Sequence, residues 1–367
     1  MPQTPTPALA PSRDDIFSGV KPVEDRHKLD ETKLAVWLEA NVAGYEGPLE
    51  VFQFKGGQSN PTYRLDTPAR RYVLRRKPFG KLLPSAHAVD REFRVISALH
   101  KVGFPAAKPY GLCTDDAVIG SMFYVMEMVA GRIFWDSTLP TLTPPERRAI
   151  VEAEVATLAQ LHNYEPEKIG LGDYGKPGNY FARQVERWSR QYRASETEKI
   201  EAMERLMDFL PRTVPQQERV SVVHGDYRLD NMVFHAREPR VIAVLDWELS
   251  TLGDPLADFS YFLMGWLMPP ASQSAGSSGI AGIDLAAHGL PTIEDATALY
   301  CKLTNRSGIP ALDWYTAFNM FRLTAILQGI AGRVRDGTAA SDQATESIKR
   351  IGALSDTALH FAIKAGA

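Results

Sequence analysis

The chain has 367 residues, of which 44% are hydrophobic and 23% charged, a composition typical of a globular protein with a sizeable core. A formal net charge of −3 excludes a general attraction to nucleic acid or to an anionic membrane surface, so any polyanion site must be local. The two cysteines, Cys113 and Cys301, show no metal-binding spacing and favour a reduced, cytoplasmic setting.

Residues 1–45 are predicted to comprise a tail and one helix. Residues 1–12 are rich in Pro, Thr and Ala and lack the basic and apolar regions of a signal peptide, which indicates a disordered tail. Asp30 is placed as the N-cap of an amphipathic helix over residues 29–40. No uncharged apolar run in the sequence approaches the roughly 18 residues that a membrane span requires.

Residues 46–129 are predicted to form a small β-rich lobe, and residues 130–367 a larger, mainly helical lobe. In the small lobe we expect strands over 49–54, 62–65 and 71–75, one or two buried strands over 118–128 around Gly120, and a helix over 85–101. In the large lobe we expect helices over 144–162, 179–210, 313–335 and 341–364, and short strands over 220–223 and 241–245. Residues 271–282 form a low-complexity loop that we expect to be mobile. This order predicts an α+β fold of two packed units rather than alternating βαβ units.

The stretch from Val223 to Asn231 carries the strongest chemical signal. Phosphoryl transfer needs a carboxylate to orient the acceptor hydroxyl, and oxygen ligands for Mg²⁺. Asp226 and Asn231 are five residues apart, the spacing of base and metal ligand in kinase catalytic loops, and Asp246 follows an apolar strand fifteen residues later. The alternative is that these are ordinary turn residues, since Asp and Gly are common in turns.

Three motifs together resemble the aminoglycoside phosphotransferase/choline kinase-like family. They are His-Gly-Asp-x-x-x-x-Asn at 224–231, Leu-Asp-Trp-Glu at 245–248 and Gly-Asp-Pro-Leu-Ala-Asp at 253–258. The resemblance begins near residue 25. The residues within and between these motifs are most similar to a branch whose kinase domain is also found fused to acyl-CoA dehydrogenase domains. It implies a two-lobed, protein-kinase-like fold that uses ATP and Mg²⁺.

By this resemblance, Asp226 is the catalytic base, and Asn231 and Asp246 bind Mg²⁺. His224 would brace the loop rather than react. Arg228 stands where protein kinases carry a lysine near the γ-phosphate, and a guanidinium group there could stabilise the transferring charge. A surface salt bridge is the alternative interpretation of Arg228.

A Gly-rich turn in the small lobe is the candidate loop that covers the phosphates of the nucleotide. Gly56, Gly57, Gln58, Ser59 and Asn60 join two predicted strands. Glycines let backbone N–H groups approach phosphates closely, and Ser59 and Asn60 can donate hydrogen bonds as well. Alone the pattern is weak, because Gly-Gly hairpins are common.

Two further segments complete the predicted nucleotide site. The resemblance puts Arg75 where the family pattern has a strand lysine, so Arg75 would hold the α- and β-phosphates and pair with Glu92. The basic neighbours at 76–77 leave this register open by one or two places, and a charged edge strand is the alternative. The backbone of Glu127 and Met128 is predicted to contact adenine, which is compatible with an ordinary core strand.

Arg322 lies within an apolar helical pattern, and buried arginines are generally paired. Asp258 is its predicted partner. Asp254 and Asp258 are otherwise expected to hold the segment that follows the metal loop.

The acceptor is expected to bind the large lobe. Arg183, Arg187 and Arg190 would share one helix face, which suits phosphate or carboxylate groups, whereas a polycationic aminoglycoside would need carboxylates. We therefore favour an anionic acceptor such as a hydroxyacyl-CoA. The alternative is a solvated face with i,i+4 pairs such as Arg190–Glu186. Apolar residues of 262–268 could line an acceptor channel or simply pack in the core.

The sequence thus predicts an ATP- and Mg²⁺-dependent phosphotransferase that phosphorylates a hydroxyl group of a small-molecule metabolite. An aminoglycoside-type antibiotic kinase and a non-catalytic pseudokinase are the alternatives. We expect neither nucleic acid nor membrane as a partner, and a homodimer is compatible with the sequence. No flavin-binding signature is apparent, so acyl-CoA dehydrogenase activity is not expected of this chain.

Overall fold

The structure is a computed structural model that describes residues 19–55, 60–78, 88–270, 279–337 and 342–367. The predicted tail, most of the 271–282 loop, and Gly56, Gly57, Gln58 and Ser59 lie outside the described residues. The described chain divides into two compact units. The small unit runs to His100 and includes Ala107–Ala130, and the large unit combines Lys101–Ala106 with Gly131–Ala367.

The small unit is built on an antiparallel sheet with the strand order β1-β2-β3-β4-β6-β5 in its described residues. Alternating large apolar side chains, such as Tyr63 and Leu65, turn one face of the sheet towards buried Leu34 and Leu38 of the first helix. The strands are β1 (Val20–Lys21), β2 (Glu50–Phe54), β3 (Thr62–Asp66), β4 (Arg71–Arg76), β5 (Pro109–Cys113) and β6 (Phe123–Glu127).

Both helices predicted for the small unit are present. Helix α1 (Glu31–Asn41) begins after Asp30, whose side chain caps it by accepting from the Lys33 amide. Helix α2 spans Val89–Lys101. Of the one or two strands predicted over 118–128, a single strand is present, β6, which begins at Phe123 after a turn at Gly120 with φ of +82°.

The large unit is mainly helical and contains two short antiparallel strand pairs among its described residues. Strand β7 (Ser221–Val223) pairs with β10 (Thr251–Gly253), and β8 (Met232–Phe234) pairs with β9 (Val241–Val244). The helices are α3 (Pro144–Asn163), α4 (Tyr180–Ser195), α5 (Glu201–Arg212), α6 (Leu256–Leu263), α7 (Leu285–His288), α8 (Ile293–Thr304), α9 (Leu312–Arg335), α10 (Asp342–Ile348) and α11 (Ile351–Lys364).

Two predicted long helices are each divided in the structure. The helix predicted over 179–210 breaks between α4 and α5, where Gln328 of α9 donates hydrogen bonds to the Ser195 carbonyl and the Thr197 hydroxyl. The helix predicted over 341–364 breaks between α10 and α11. The helices predicted over 144–162 and 313–335 are confirmed as α3 and α9.

The described chain offers no helix that is both long and apolar enough to cross a membrane. Cys113 and Cys301 are both free thiols and both are buried.

Gly131 provides a test of packing at the start of the large unit. A Cβ added there would lie 2.2 Å from the Phe234 carbonyl oxygen, next to the bridge between Arg132 and Phe234. We expect Gly131→Ala to lower the free energy of unfolding by about 1–3 kcal/mol, because the added methyl overpacks the site. Denaturant unfolding measures the change.

Gly329→Ala is the matched control, because Gly329 lies inside α9 with open space around its Cα. Alanine should raise the free energy of unfolding there by about 0.5–1 kcal/mol through its helix propensity. Equal effects of the two substitutions would contradict the packing described at Gly131.

Candidate active site

The loop after β7 is held at Gly225 from both sides. The Gly225 N–H donates to Asp258 Oδ1 at 2.8 Å, and its carbonyl accepts from Arg322 Nη2 at 3.0 Å. Gly225 has φ of +88°, and a Cβ there would lie 2.9 Å from the Leu249 carbonyl oxygen. Glycine is therefore required where the chain turns into Asp226.

The predicted ion pair between Arg322 and Asp258 is wrong. Buried Asp258 accepts the backbone N–H groups of His224 and Gly225, with His162 Nε2 3.5 Å from Oδ2. Arg322 instead binds the Gly225 carbonyl. Its guanidinium lies 5.7 Å and 5.4 Å from the ring centres of Trp188 and Tyr261. Both charged groups bind the backbone of the same loop without forming an ion pair. Asp258 accepts from its N–H groups, whereas Arg322 donates to a carbonyl.

Asp226 is held by three side chains. Its Oδ1 accepts from the Tyr261 hydroxyl at 2.7 Å, and its Oδ2 accepts from Asn231 Nδ2 at 3.0 Å and Arg228 Nε at 3.2 Å. Burial alone would raise the pKa of Asp226, but Arg228 together with these hydrogen bonds outweighs it and holds the pKa below its usual value. The carboxylate is therefore ionised and fixed in direction at neutral pH.

The metal-ligand candidates Asn231 and Asp246 are joined through the backbone of Leu245. The Leu245 N–H donates to the Asn231 carbonyl at 2.8 Å, and the Leu245 carbonyl lies 2.8 Å from His224 Nε2. His224 Nδ1 accepts from the Asp226 N–H at 3.2 Å, so the partners assign the proton to Nε2. This geometry is what a bracing role for His224 requires.

Asp246 follows this junction in the left-handed region, with φ of +63°. A non-glycine residue rarely adopts this conformation, and such strain is frequent at functional sites. Asn231 donates to Asp226 through Nδ2, so its Oδ1 is the atom that would bind a cation.

The donor set fits Mg²⁺ held jointly with phosphate. Among the described residues, no group of three or more His, Cys, Asp or Glu side chains could hold a metal ion alone. Mg²⁺ typically binds one or two carboxylates together with substrate phosphates and water. Asn231 and Asp246 would supply such a partial set.

Arg228 lies between two carboxylates. Its Nε is 3.2 Å from Asp226 Oδ2 and its Nη2 is 3.3 Å from Asp230 Oδ2. Burial alone would lower the pKa of Arg228, but Asp230 and Asp226 outweigh it and raise that pKa. Arg228 therefore forms the salt bridge of the alternative interpretation, and one partner in it is the candidate base, Asp226.

The small unit brings three predicted nucleotide-binding residues together around buried Glu92. Glu92 accepts from Asn60 Nδ2 at 2.9 Å and from the Tyr124 hydroxyl at 3.0 Å, and Arg75 Nη1 lies 3.3 Å from its Oε2. The predicted Arg75–Glu92 pair is therefore present. Arg76 donates to the Tyr63 hydroxyl at 3.1 Å, whereas Arg75 forms the pair with Glu92 that the sequence predicts for it.

Glu127 is the last residue of β6, and Met128 follows it directly. The Glu127 N–H donates to the Lys108 carbonyl at 2.8 Å. The adenine contact that we predict for Glu127 and Met128 is therefore not made by this N–H group. It stays a prediction for the remaining backbone groups.

Two of the three arginines on the predicted face of α4 are bound to other groups of the protein. Arg183 donates to the backbone carbonyls of Lys176 and Gly178, and Arg190 pairs with Glu186 at 3.4 Å. Arg187 lies 5.3 Å from the centre of the Trp188 ring. This face is therefore weaker support for an anionic acceptor than the sequence suggested.

A cavity of about 190 Å³ adjoins Asp226 within the large unit. We call it the Trp266 cavity. Tyr261 and Arg228, which both contact Asp226, line it. Of the apolar residues of 262–268, Phe262, Met264, Trp266 and Met268 line this cavity, and whether it takes up an acceptor stays a prediction.

Sequence reasoning missed three residues of this region, Tyr261, Glu154 and Arg350. Tyr261 lies one helical turn after Asp258, so the i,i+3 spacing in α6 places both on one face and could have identified it. Glu154 falls on the apolar stripe of α3, where an acid is unusual. Arg350 lies between two helices that the sequence predicted as one.

Comparisons with known proteins show which family the chain is similar to. The model of a family described as a phosphotransferase enzyme family matches residues 50–288. Acyl-CoA dehydrogenase family member 10 of Mus musculus is 43% identical over 350 residues, 94% of this chain and 32% of that protein. Family member 11 of Homo sapiens is 40% identical over 353 residues, 94% of this chain and 44% of that protein. The chain thus spans less than half the length of these curated relatives.

Solved structures give the fold. A protein of Ralstonia eutropha JMP134, provisionally described as an aminoglycoside phosphotransferase, is 49% identical with a TM-score of 0.83, covering 92% of this chain and 99% of that chain. Spectinomycin phosphotransferase in complex with ADP and spectinomycin is 12% identical with a TM-score of 0.58, covering 90% and 98%, which shows the fold alone. The α+β, two-lobed protein-kinase-like fold is confirmed. Since the family model matches well over half of its length, the chain belongs to the phosphotransferase enzyme family.

Proposed function

We propose that this phosphotransferase is an ATP- and Mg²⁺-dependent kinase that transfers the γ-phosphoryl group to a hydroxyl group of a small metabolite. One observation carries the proposal. The ionised Asp226 carboxylate is bound to Asn231, and Asn231 is joined through Leu245 to Asp246. A candidate base, an amide and a second carboxylate are thus linked through side-chain and backbone contacts in the order that kinases use, and this supports the proposal.

The chemistry assigned to Asp226 follows from its contacts. An acceptor hydroxyl would donate to the Asp226 carboxylate and transfer its proton there as the new P–O bond forms. Because the pKa of Asp226 is lowered, the carboxylate mainly orients the hydroxyl and accepts the proton late, which suits a loose transition state. Arg228 would stabilise the negative charge of the transferring group. Bound Mg²⁺ would neutralise phosphate charge, held by Asn231 Oδ1 and the Asp246 carboxylate.

The nucleotide is assigned to the small unit. Arg75, fixed by Glu92, would present its guanidinium to the α- and β-phosphates, with Asn60 anchored on the same Glu92. The neighbour that binds ADP has the same fold, and this favours an adenine nucleotide as donor. Retention of Asp226, Asn231 and Asp246 argues against a non-catalytic pseudokinase.

The acceptor is proposed to be anionic, with a hydroxyacyl-CoA as one candidate. The relatives named as acyl-CoA dehydrogenase family members favour an acyl group, and the apolar Trp266 cavity offers it a place. An aminoglycoside-type kinase is the second candidate, favoured by the provisional description of the Ralstonia eutropha protein. Transfer to aminoglycosides, but not to hydroxyacyl-CoA or other anionic alcohols, would decide for the second candidate.

Asp226→Asn should abolish most transfer while leaving the fold and nucleotide binding intact. Asparagine keeps an oxygen for the Tyr261 hydroxyl but cannot accept the acceptor proton, so we expect a loss in kcat of about 10²–10⁴-fold. A coupled ADP-release assay over an acceptor panel measures the loss, and thermal shift with Mg·ATP checks binding. Asp208→Asn, an exposed residue paired with Arg212, is the control. Unchanged turnover in Asp226→Asn would remove Asp226 from its role.

Removal of Mg²⁺ should affect nucleotide binding but not the free protein. EDTA should leave the melting temperature of the nucleotide-free chain unchanged and should weaken the stabilisation by ATP, since Asn231 and Asp246 need phosphate to complete a site. Asp246→Asn should reproduce the EDTA effect in the presence of Mg²⁺. Tight Mg²⁺ binding without nucleotide would contradict the partial site.

Arg75→Lys tests the nucleotide site with the charge retained. Lysine should keep Glu92 paired but lose the planar fork of the guanidinium, so we expect the Kd for Mg·ATP to rise about tenfold. Calorimetric titration measures the Kd. Arg71→Lys, at an exposed position on the same strand, is the control and should leave the Kd unchanged. Equal Kd values for both variants would move the phosphate contact away from Arg75.

A further inference from the structure

The Trp266 cavity carries the charge pattern of a ligand site. Its walls are mostly apolar, and its ionisable acidic and basic side chains are Arg228, Glu154 and Arg350. Arg228 is already paired with Asp226 and Asp230. The charge that the cavity offers to a ligand therefore depends on Glu154 and Arg350.

Glu154 does not supply a negative charge at neutral pH. It is only 4% exposed, in the apolar stripe of α3, and burial together with the nearby Asp230 raises its pKa to about 8. A carboxyl group kept protonated in this way is a hydrogen-bond donor rather than a partner for a cation. The described walls of this cavity therefore offer an amine or a polycation no fixed anion.

Arg350 supplies a positive charge. It is half-buried between α10 and α11, where burial lowers its pKa without removing the charge. Among the residues that the structure describes, the one hydrogen-bond partner of its guanidinium is Met268 Sδ, at 3.9 Å. A sulfur atom is a weak acceptor, and a half-buried guanidinium normally pairs with a carboxylate or phosphate.

The volume limits what can fill the cavity. An apolar cavity of about 150 Å³ takes up benzene, so about 190 Å³ accepts a group of roughly six to eight carbon atoms. Any larger part of an acceptor would have to lie outside these walls. A short aliphatic chain with one anionic group fits both the volume and the charges.

We propose that Arg350 is a specificity residue that binds the free carboxylate of a short aliphatic acceptor lodged in the Trp266 cavity, which favours a hydroxy acid over its CoA thioester as the anionic acceptor. The acceptor assignment rests on the proposed kinase function, since Arg228 and Tyr261 connect the cavity to Asp226. The binding site itself depends only on Arg350 and the apolar walls, and it can be tested without ATP.

The test is calorimetric titration of the full chain, without nucleotide, with hexanoate, hexan-1-ol and hexylamine at constant ionic strength. We expect hexanoate to bind about tenfold to hundredfold more tightly than the alcohol, as for a hydrogen bond to a charged group, and the amine to bind no better than the alcohol. In a series from butanoate to dodecanoate, affinity should rise about fourfold per methylene and level off near eight carbons. Equal binding of acid and alcohol, preference for the amine, or no binding would overturn the proposal.

Arg350→Met should remove the preference for the acid while leaving hexan-1-ol binding unchanged, and Arg350→Lys should restore part of it. Arg212→Met removes an exposed arginine from α5 and should bind all three probes like the parent chain. If Arg350→Met does not fold, the Arg350→Lys variant and the probe series on the parent chain still test whether Arg350 binds the carboxylate. An unchanged preference in a folded Arg350→Met variant would overturn the role of Arg350.

Transfer assays separate this proposal from the kinase function. With Mg·ATP and hydroxyhexanoates as acceptors, Arg350→Met should raise KM about tenfold or more with little change in kcat, whereas Asp226→Asn should lower kcat and still bind hexanoate. Hexanoate binding without any transfer would refute the acceptor assignment but not the site. Transfer that is indifferent to Arg350 would refute the specificity role but not the kinase function.

Discussion

The large unit depends on the clamp at Gly225. Asp258 fixes the N–H of this residue and Arg322 fixes its carbonyl, so the two charges pull the same glycine from opposite sides. Asp226 is the next residue, and its side chain can be aimed only if the preceding backbone is fixed. The left-handed φ of Gly225 explains why the motif needs glycine between His224 and Asp226. The backbone position before Asp226 is thus fixed by residues in α6 and α9, far away in the sequence.

Charge is balanced within the same region. Two carboxylates, Asp226 and Asp230, share the guanidinium of Arg228, so the acidic loop carries its own counter-ion. A partly buried pair of this kind contributes little net stability, because desolvation offsets the attraction. Its effect is on direction and ionisation, since it keeps Asp226 charged in a place where burial would favour the neutral form. A catalytic carboxylate needs this property more than stability.

The sequence predicted the catalytic loop better than its supports. Spacing alone singled out Asp226, Asn231 and Asp246 as candidates, because local motifs are set by the backbone between two short strands. The partner of Arg322 was predicted wrongly, because periodicity shows that a residue faces inwards but not which backbone group its side chain reaches. The helix break after Ser195 was not predicted for a similar reason. The side chain that binds the Ser195 carbonyl, Gln328, belongs to a helix far away in the sequence. Long-range side-chain contacts decide these features, and one sequence contains no record of them.

Tyr261 links these supports to the proposed acceptor site. Its hydroxyl holds Asp226 Oδ1, its ring lies 5.4 Å from the Arg322 guanidinium, and it forms part of the wall of the Trp266 cavity. If the acceptor occupies this cavity as proposed, it contacts the side chain that aims the base. An acceptor of the wrong shape would then disturb the direction of Asp226 as well as its own binding. Discrimination would therefore act on the transfer step and not only on affinity, which is where binding energy is most effective in catalysis.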